Sequence, residues 1–188
     1  MGKRLFIAVD IDEATRAEVQ RIAAHVRTVV EQNTKASWVR ADRMHLTLHF
    51  LGHVDGAMED RVRGALEQPF EVAAFAITFD RLGVFPDRGS PRVLWLGVRD
   101  GLDCLRRIHA ALASRLGIGP DREGPYTPHL TVARFRDRVP RGKLAGLGDI
   151  QASAGPSRID RVTLYESRLS PAGPTYLPLA AARLGPQP

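Results

Sequence analysis

The chain has 188 residues, 44% of them hydrophobic and 26% charged, which is typical of a soluble globular protein with one domain or two small lobes. It contains no apolar stretch of the roughly 20 residues that a membrane-spanning helix needs, and its single cysteine, Cys104, excludes an internal disulfide. The formal net charge of +6 favours a polyanionic partner such as nucleic acid, although the basic residues are scattered and form no basic tail.

The chain begins with a short apolar strand and an amphipathic helix. Residues 5–9 form an unbroken apolar run, and because Asp10 and Asp12 follow at once, the run predicts a buried strand and not a signal peptide. Without a signal peptide or a disulfide, we expect the protein in the cytoplasm. Asp10 lies three residues before Glu13 and is the predicted N-cap of a helix, whose apolar residues follow at helical spacing.

Two further strands and a short helix complete the first half. Residues 44–51 alternate between polar and apolar, which predicts a strand that ends at Gly52. An amphipathic stretch over 57–66 predicts a helix, and 75–79 predicts another strand. The segment 83–91 is rich in proline, glycine and charge and predicts a hairpin connection.

The second half has the same order of elements. Residues 92–98 predict a strand, and Asp100 is the predicted N-cap of a helix whose apolar stripe ends at Gly117. After a polar loop, residues 128–135 predict a strand, and 161–165 predict a last one.

The order strand, helix, loop and a strand that begins with His-Leu-Thr therefore occurs twice, at His45 and at His129. We predict an α+β fold in which residues 1–188 form a single domain of two pseudo-symmetric lobes. Each lobe is expected to be a small, mostly antiparallel sheet backed by helices, with the active-site cleft between the lobes. The end of the chain, 185–188, is predicted to be loose.

The repeated motif suits phosphodiester chemistry. Residues i and i+2 of a strand point to the same face, so His45 projects with Thr47, and His129 with Thr131. One neutral imidazole can take a proton from an attacking oxygen while the other, protonated, donates one to the leaving oxygen. Threonine hydroxyls can bind the non-bridging phosphate oxygens, and no metal or other cofactor is needed. This reasoning leaves open which histidine is the acid.

Three segments resemble the two-histidine phosphoesterase superfamily, and within it the RNA 2′,3′-cyclic phosphodiesterases, also called 2′-5′ RNA ligases. They are residues 4–9 (Arg-Leu-Phe-Ile-Ala-Val), 45–52 (His-Leu-Thr-Leu-His-Phe-Leu-Gly) and 125–134 (Pro-Tyr-Thr-Pro-His-Leu-Thr-Val-Ala-Arg). The likeness extends to residues 164–167 and 173–176, so it covers nearly the whole chain.

The resemblance implies a role for each motif residue. His45 would be the proton donor to the leaving oxygen, and His129 the proton acceptor that activates water. Thr47 and Thr131 would hold the phosphate. The family reaction opens a terminal 2′,3′-cyclic phosphate on RNA to a 2′-phosphate, and with a 5′-hydroxyl RNA end in place of water similar chemistry forms a 2′-5′ linkage.

Four further residues are predicted to contact the substrate: Arg134, Tyr126, His49 and Phe50. Arg134 matches the geometry of phosphate, but strict alternation places it opposite His129, so it needs a bulge or twist to reach the cleft. Alternation places His49 on the face of His45 and Thr47. Five aromatic residues could stack on a base, although each is better explained as a core residue: Tyr126, Phe50, Phe6, Trp38 and Trp95. Tyr126 is the preferred candidate, because it lies in the loop that enters the second motif.

Two other classes of function stay open at this point. The same fold could be a nucleotide-binding module without catalysis, although both motifs are intact. A metal-dependent hydrolase could use His45, His49 and His53, which would share one face of a helix, but the alternation and Gly52 argue against a helix there. We expect no metal, no membrane contact and a monomer that binds RNA ends carrying a 2′,3′-cyclic phosphate or related nucleotides.

Overall fold

The computed structural model describes residues 2–32, 34–119 and 125–185. Within these residues, nine strands and three α-helices follow one another along the chain. The strands are β1 (Lys3–Asp10), β2 (Ala36–Trp38), β3 (His45–Val54), β4 (Phe75–Phe85), β5 (Val93–Val98), β6 (His129–Phe135), β7 (Ala154–Ile159), β8 (Arg161–Arg168) and β9 (Thr175–Arg183). The helices are α1 (Glu13–Val30), α2 (Gly56–Glu67) and α3 (Leu102–Leu116), with 3-10 segments at Ala41–Arg43 and Arg141–Asp149.

The strands form two antiparallel sheets with related topologies. The first has the order β3-β1-β8-β9, and the second has the order β2-β6-β5-β4-β7. In each sheet the strand with the His-Leu-Thr motif pairs with the strand that opens the same half of the chain, β3 with β1 and β6 with β5. The predicted α+β fold with two similar antiparallel lobes is confirmed.

The helices connect the lobes by crossing between them. α1 follows β1 of the first sheet but packs against β7 of the second, whereas α3 follows β5 of the second sheet and packs against β3 of the first. α2 packs against α3 and against β8 and β9. The buried apolar side chains of both sheets and all three helices consequently form one cluster, so the relative position of the two histidine strands is fixed by a shared core.

The predicted starts of two helices are wrong by one or two residues. Asp10 stays in β1, directly opposite His45, and it is Asp12 whose carboxylate accepts the hydrogen bond from the Thr15 amide, at 2.8 Å. The N-cap of α3 is Gly101, in the left-handed region with φ of +82°. A Cβ on Gly101 would lie 2.7 Å from the Ala76 carbonyl oxygen, so close packing requires glycine there.

The predicted hairpin after the fourth strand exists, but its loop is shorter than predicted. β4 continues to Phe85 because its last residues, from Gly83 on, still pair with β5, and the ring of Trp95 packs over Gly83 where a side chain would otherwise lie. At the end of the chain, Gly185 pairs with Ala73. The rest of the predicted loose end, residues 186–188, lies outside the described residues.

A search of the described helices finds none with both the length and the apolar character needed to cross a bilayer.

Replacing Asp12 with alanine should destabilise the fold more than losing an ordinary helix cap. Besides capping α1, the Asp12 carboxylate accepts a bond from the Arg158 amide in β7, at 3.2 Å, and so joins the helix to the second sheet. We expect a loss of about 1–2 kcal/mol in the free energy of unfolding at pH 7, measured by urea denaturation.

Asp55→Ala is the matched control, since Asp55 caps α2 through the Met58 amide alone. Burial raises the pKa of Asp12, but its hydrogen bonds outweigh this and hold the pKa below the ordinary value. The stabilisation is therefore present above the ordinary carboxyl pKa of about 3.9 and lost as the pH falls through the lowered folded-state pKa. Equal losses in the two variants at pH 7 would contradict the second bond.

Candidate active site

A bulge in β3 decides which of its side chains face the cleft. In the pairing with β1, Thr47 lies opposite Ala8 and His49 opposite Ile7, so Leu48 is an extra residue in the ladder. After the bulge the alternation resumes one residue out of phase. His45, Thr47 and Phe50 therefore share one face, and Leu48 and His49 both point inward.

The same device occurs in β6. Thr131 lies opposite Trp95 and Ala133 opposite Leu94, so Val132 is the extra residue. Val132 and Ala133 are both buried, and Arg134 is turned to the face of His129 and Thr131. The bulge that Arg134 needs to reach the cleft is present, and the cleft-facing positions have the same spacing in both halves.

Both imidazole rings are held by the backbone in the same way. Nδ1 of His45 lies 2.8 Å from the carbonyl oxygen of Arg43, and Nδ1 of His129 lies 2.8 Å from that of Thr127. A carbonyl only accepts, so Nδ1 carries the proton in each ring and donates it. Nε2 is left to accept a proton in the neutral ring or to donate one in the charged ring.

Aromatic side chains surround each histidine. The ring centroid of His45 lies 4.8 Å from that of Phe6 and 5.1 Å from that of Tyr176, which meets it edge-on. The centroid of His129 lies 4.9 Å from that of Phe85, again edge-on, and 6.2 Å from that of Trp95. These contacts restrict the orientation of the rings and partly bury them.

Burial lowers the pKa of both histidines. For His45 the bond to the Arg43 carbonyl and the charge of Asp10 raise the pKa, while Arg134 and His129 add to the lowering. For His129 the bond to the Thr127 carbonyl raises the pKa, and Arg134 lowers it further. Since β3 and β6 lie against each other, with Arg134 acting on both rings, the two motifs belong to one cleft.

The expectation that His49 faces the cleft with His45 is wrong, because the bulge turns it inward. Its side chain is only 6% exposed, and its Nε2 lies 2.8 Å from the carbonyl oxygen of His109 on α3. The rings of His49 and His109 stack at 4.0 Å, and Tyr126 stacks on the other side of His109 at 4.1 Å. The Tyr126 hydroxyl donates to the Thr47 carbonyl at 3.0 Å, so the stacked rings hold β3 on the side where His49 points inward.

The remaining aromatic candidates differ in accessibility. Phe6 and Trp95 are buried, and Trp38 on β2 donates a hydrogen bond from its indole nitrogen to Glu31. Phe50, in contrast, is 57% exposed, with the guanidinium carbon of Arg4 only 4.9 Å from its ring centroid. Phe50 is thus the candidate with an open ring on the cleft face.

His45, His49 and His53 lie on a strand and not on a helix, and the bulge at Leu48 turns His49 away from the face of His45. Within the described parts of the chain, no group of three or more histidine, cysteine, aspartate or glutamate side chains is arranged to hold a metal ion.

Sequence reasoning missed several side chains around the site. Asp10 was assigned to a helix cap, Tyr176 had no role, and Phe85 was placed in a loop; the structure brings Asp10 and Tyr176 to His45, and Phe85 to His129. The apolar residues Leu82, Val84 and Phe85 could have indicated that β4 continues beyond Phe79. Nothing in the local sequence indicates that β9 brings Tyr176 across the first sheet.

Two solved structures share the fold over nearly the whole chain. One is described as TT0787 of Thermus thermophilus, with a TM-score of 0.73, 27% sequence identity, and 98% of this chain and 99% of that chain covered. The other is E. coli LigT complexed with 3′-AMP, with a TM-score of 0.70, 27% identity, and 97% and 98% of the two chains covered.

Sequence comparison gives the family. The chain is 35% identical to an RNA 2′,3′-cyclic phosphodiesterase of Methanothermobacter thermautotrophicus, over 98% of this chain and 100% of that protein. It is 32% identical to a protein of the same name from Archaeoglobus fulgidus, over 92% and 96% of the two chains. A family model for the 2′-5′ RNA ligase superfamily matches residues 11–170, and the chain belongs to that superfamily.

Proposed function

We propose that this protein is an enzyme that opens a 2′,3′-cyclic phosphate at the end of an RNA to a 2′-phosphate. The observation that carries the proposal is the pair of imidazoles in one cleft, each with Nδ1 bound to a backbone carbonyl and Nε2 free for proton transfer. Relatives that match over more than nine-tenths of the chain, named RNA 2′,3′-cyclic phosphodiesterase, support the choice of substrate.

In the proposed reaction, His129 is the base and His45 the acid. Neutral His129 takes a proton on Nε2 from water as the water oxygen forms a bond to phosphorus. His45, as imidazolium, gives its Nε2 proton to the 3′ oxygen as the bond between that oxygen and phosphorus breaks. The products are a 2′-phosphate and a 3′-hydroxyl, and a proton exchange with solvent restores both rings.

The carbonyls of Arg43 and Thr127 serve both forms of each ring. Each carbonyl accepts from Nδ1 whether Nε2 is protonated or not, so the orientation of the ring is maintained throughout the cycle. The same bonds stabilise the imidazolium, and for this reason they oppose the effect of burial on the pKa.

Thr47, Thr131 and Arg134 are proposed to bind the phosphate. Their positions on the cleft faces of β3 and β6 place two hydroxyls and a guanidinium on the side where the non-bridging oxygens would gather charge. Arg134 is expected to contribute the most, since a guanidinium pairs with phosphate through charge and geometry together.

The same arrangement could join two RNA ends. If a 5′-hydroxyl replaces water as the group that His129 deprotonates, attack on the cyclic phosphate yields a 2′-5′ linkage. The acid step at His45 is unchanged.

Phe50 is proposed to stack on a base of the bound RNA, with Arg4 behind the ring. Its exposed position on the cleft face, three residues after Thr47, and the nearby guanidinium are the features of a stacking platform with an adjacent phosphate partner. Tyr126 and His49, the other predicted substrate contacts, pack against His109 and are proposed to act through β3.

His45→Ala and His129→Ala should each reduce kcat for an RNA oligonucleotide with a 2′,3′-cyclic phosphate end by about 10²–10⁴, the usual contribution of a positioned acid or base. Product analysis by chromatography, with and without a chelator, measures the loss and tests metal dependence. His53→Ala, at an exposed position on the same strand, is the control. Retention of most activity by both variants would refute the proposed roles of the histidines. Nucleotide binding without turnover in the unaltered protein would refute the proposed activity and favour a binding module.

Arg134→Gln should raise the pKa of both His45 and His129, because the guanidinium lowers both in the unaltered protein. Titration of the ring protons by NMR in the free enzyme measures this, and both midpoints should move to higher pH. Arg138→Gln, an exposed arginine beyond β6, is the matched control. If the titration midpoints of both rings are the same as in the unaltered protein, Arg134 does not lie in the cleft.

Phe50→Ala should raise KM by roughly 5- to 100-fold with little change in kcat, as expected for one lost stacking contact. Phe50→Trp should keep KM near the value of the unaltered protein, because tryptophan can also stack. Leu169 is the other exposed large apolar residue among those described, and Leu169→Ala should leave KM unchanged. The penalty should disappear for an oligonucleotide that lacks the stacked base. A series of oligonucleotides, each lacking the base at a different position, tests this. If Phe50→Ala raises KM to the same extent on every one of them, Phe50 does not stack on a base.

A further inference from the structure

The two halves of the site differ in the residue that faces each histidine from the neighbouring strand. Asp10 of β1 lies directly opposite His45, and Gly97 of β5 lies directly opposite His129. Directly opposed residues of antiparallel strands project from the same face, with Cβ atoms about 4.5–5.5 Å apart. A carboxylate thus accompanies one catalytic ring and has no counterpart beside the other.

The Asp10 carboxylate is held in place from a third strand. The hydroxyl of Tyr165 on β8 donates to Oδ2 of Asp10 at 2.7 Å. Burial, the hydrogen bond and the charge of Asp10 all raise the pKa of Tyr165, so its hydroxyl stays protonated as a donor. The ring of Tyr165 in turn stacks on Phe6, which packs against His45.

Beside His129, there is no room for a carboxylate at the position that corresponds to Asp10, which is Gly97. A Cβ added to Gly97 would lie 2.8 Å from Nε of Arg81 and 3.0 Å from the Trp95 ring. Arg81 also extends over the Trp95 ring, with its guanidinium carbon 6.0 Å from the ring centroid. A cationic side chain therefore covers the backbone opposite His129, where the first lobe carries an anion.

The other titratable groups that face the two rings are neutral or cationic. His45 is faced by Tyr176 from β9 and by His129 and Arg134 from β6, in addition to Asp10. Arg134 acts on both rings. Among the described residues that act electrostatically on either ring, Asp10 is the only anion, and it acts on His45.

We propose that Asp10, oriented by Tyr165, is a positioning residue that keeps the catalytic proton on His45 and thereby sets the direction of proton transfer across the cleft. The inference rests on the proposed function, since it concerns the roles of the two histidines in that reaction. It explains how two rings with the same backbone bonds take opposite roles.

Removing the charge should change one side of the pH profile. The acid must be protonated, so its pKa sets the alkaline limb of kcat/KM, and the base must be neutral, so its pKa sets the acid limb. Asp10 raises the pKa of His45, and its loss should move the alkaline limb to lower pH by about one unit. Activity above that limb should fall about tenfold, and the acid limb should stay in place.

The experiment measures kcat/KM against pH for Asp10→Asn, which keeps the shape of the side chain and an acceptor for Tyr165. Asp10→Glu should restore the alkaline limb, and Asp60→Asn, on the exposed side of α2, controls for net charge. NMR titration of the His45 ring should show the same downward shift. An alkaline limb that stays in place in Asp10→Asn, or moves equally in Asp60→Asn, overturns the proposal.

A substrate with sulfur at the 3′ leaving position separates this inference from the proposed function. A thiol has a pKa of about 8.5, far below that of an alcohol, and leaves without protonation. Both the His45→Ala and the Asp10→Asn losses should largely vanish on it, whereas the His129→Ala loss should remain. Rescue of His129→Ala instead would overturn the proposed roles; rescue of His45→Ala with an unchanged Asp10→Asn profile would overturn the role of Asp10 alone.

Discussion

The hydrogen bond from Nδ1 of His45 and of His129 to a backbone carbonyl is the interaction on which the candidate site depends. It fixes the tautomer, so that Nε2 is the nitrogen left to exchange a proton, and it fixes the ring plane. The carbonyls belong to Arg43 and Thr127, each two residues before its histidine. Because the bonds lie within the chain segments that enter β3 and β6, each ring is oriented locally, and the fold has only to bring the two strands together.

The fold brings the strands together with a core that both lobes share. α1 leaves the first sheet to pack on the second, and α3 does the reverse, so separating the lobes would expose apolar surface on both. A bulge in each histidine strand then adds a third side chain to the cleft, Phe50 in one lobe and Arg134 in the other. The same irregularity of the backbone thus brings an aromatic ring to the cleft in one lobe and a cationic side chain in the other.

The two lobes have the same backbone arrangement around each histidine, but the side chains on the neighbouring strands differ. Backbone geometry and the hydrogen bond at Nδ1 are alike for His45 and His129. The neighbouring strands differ, since Asp10, bonded by Tyr165, lies opposite His45, and Gly97 lies opposite His129. Two similarly held rings can differ in proton affinity in this way, since the pKa of a ring responds to charges that need not touch the substrate.

The sequence by itself determined the repeat, the α+β class and the two His-x-Thr motifs, because alternation and helical spacing are local patterns and the motif residues lie before the bulges. It misplaced His49, and it could place Arg134 only on the condition of a bulge, since an extra residue in a ladder is defined by the partner strand and not by the strand itself. It also predicted that Asp10 caps a helix. The hydrogen-bond partner of the Asp10 carboxylate is Tyr165, which lies 155 residues further along the chain and so cannot be recognised from the local sequence. Only the tertiary structure decided which charges surround each histidine, since those charges come from strands that are distant in sequence and adjacent in the sheet.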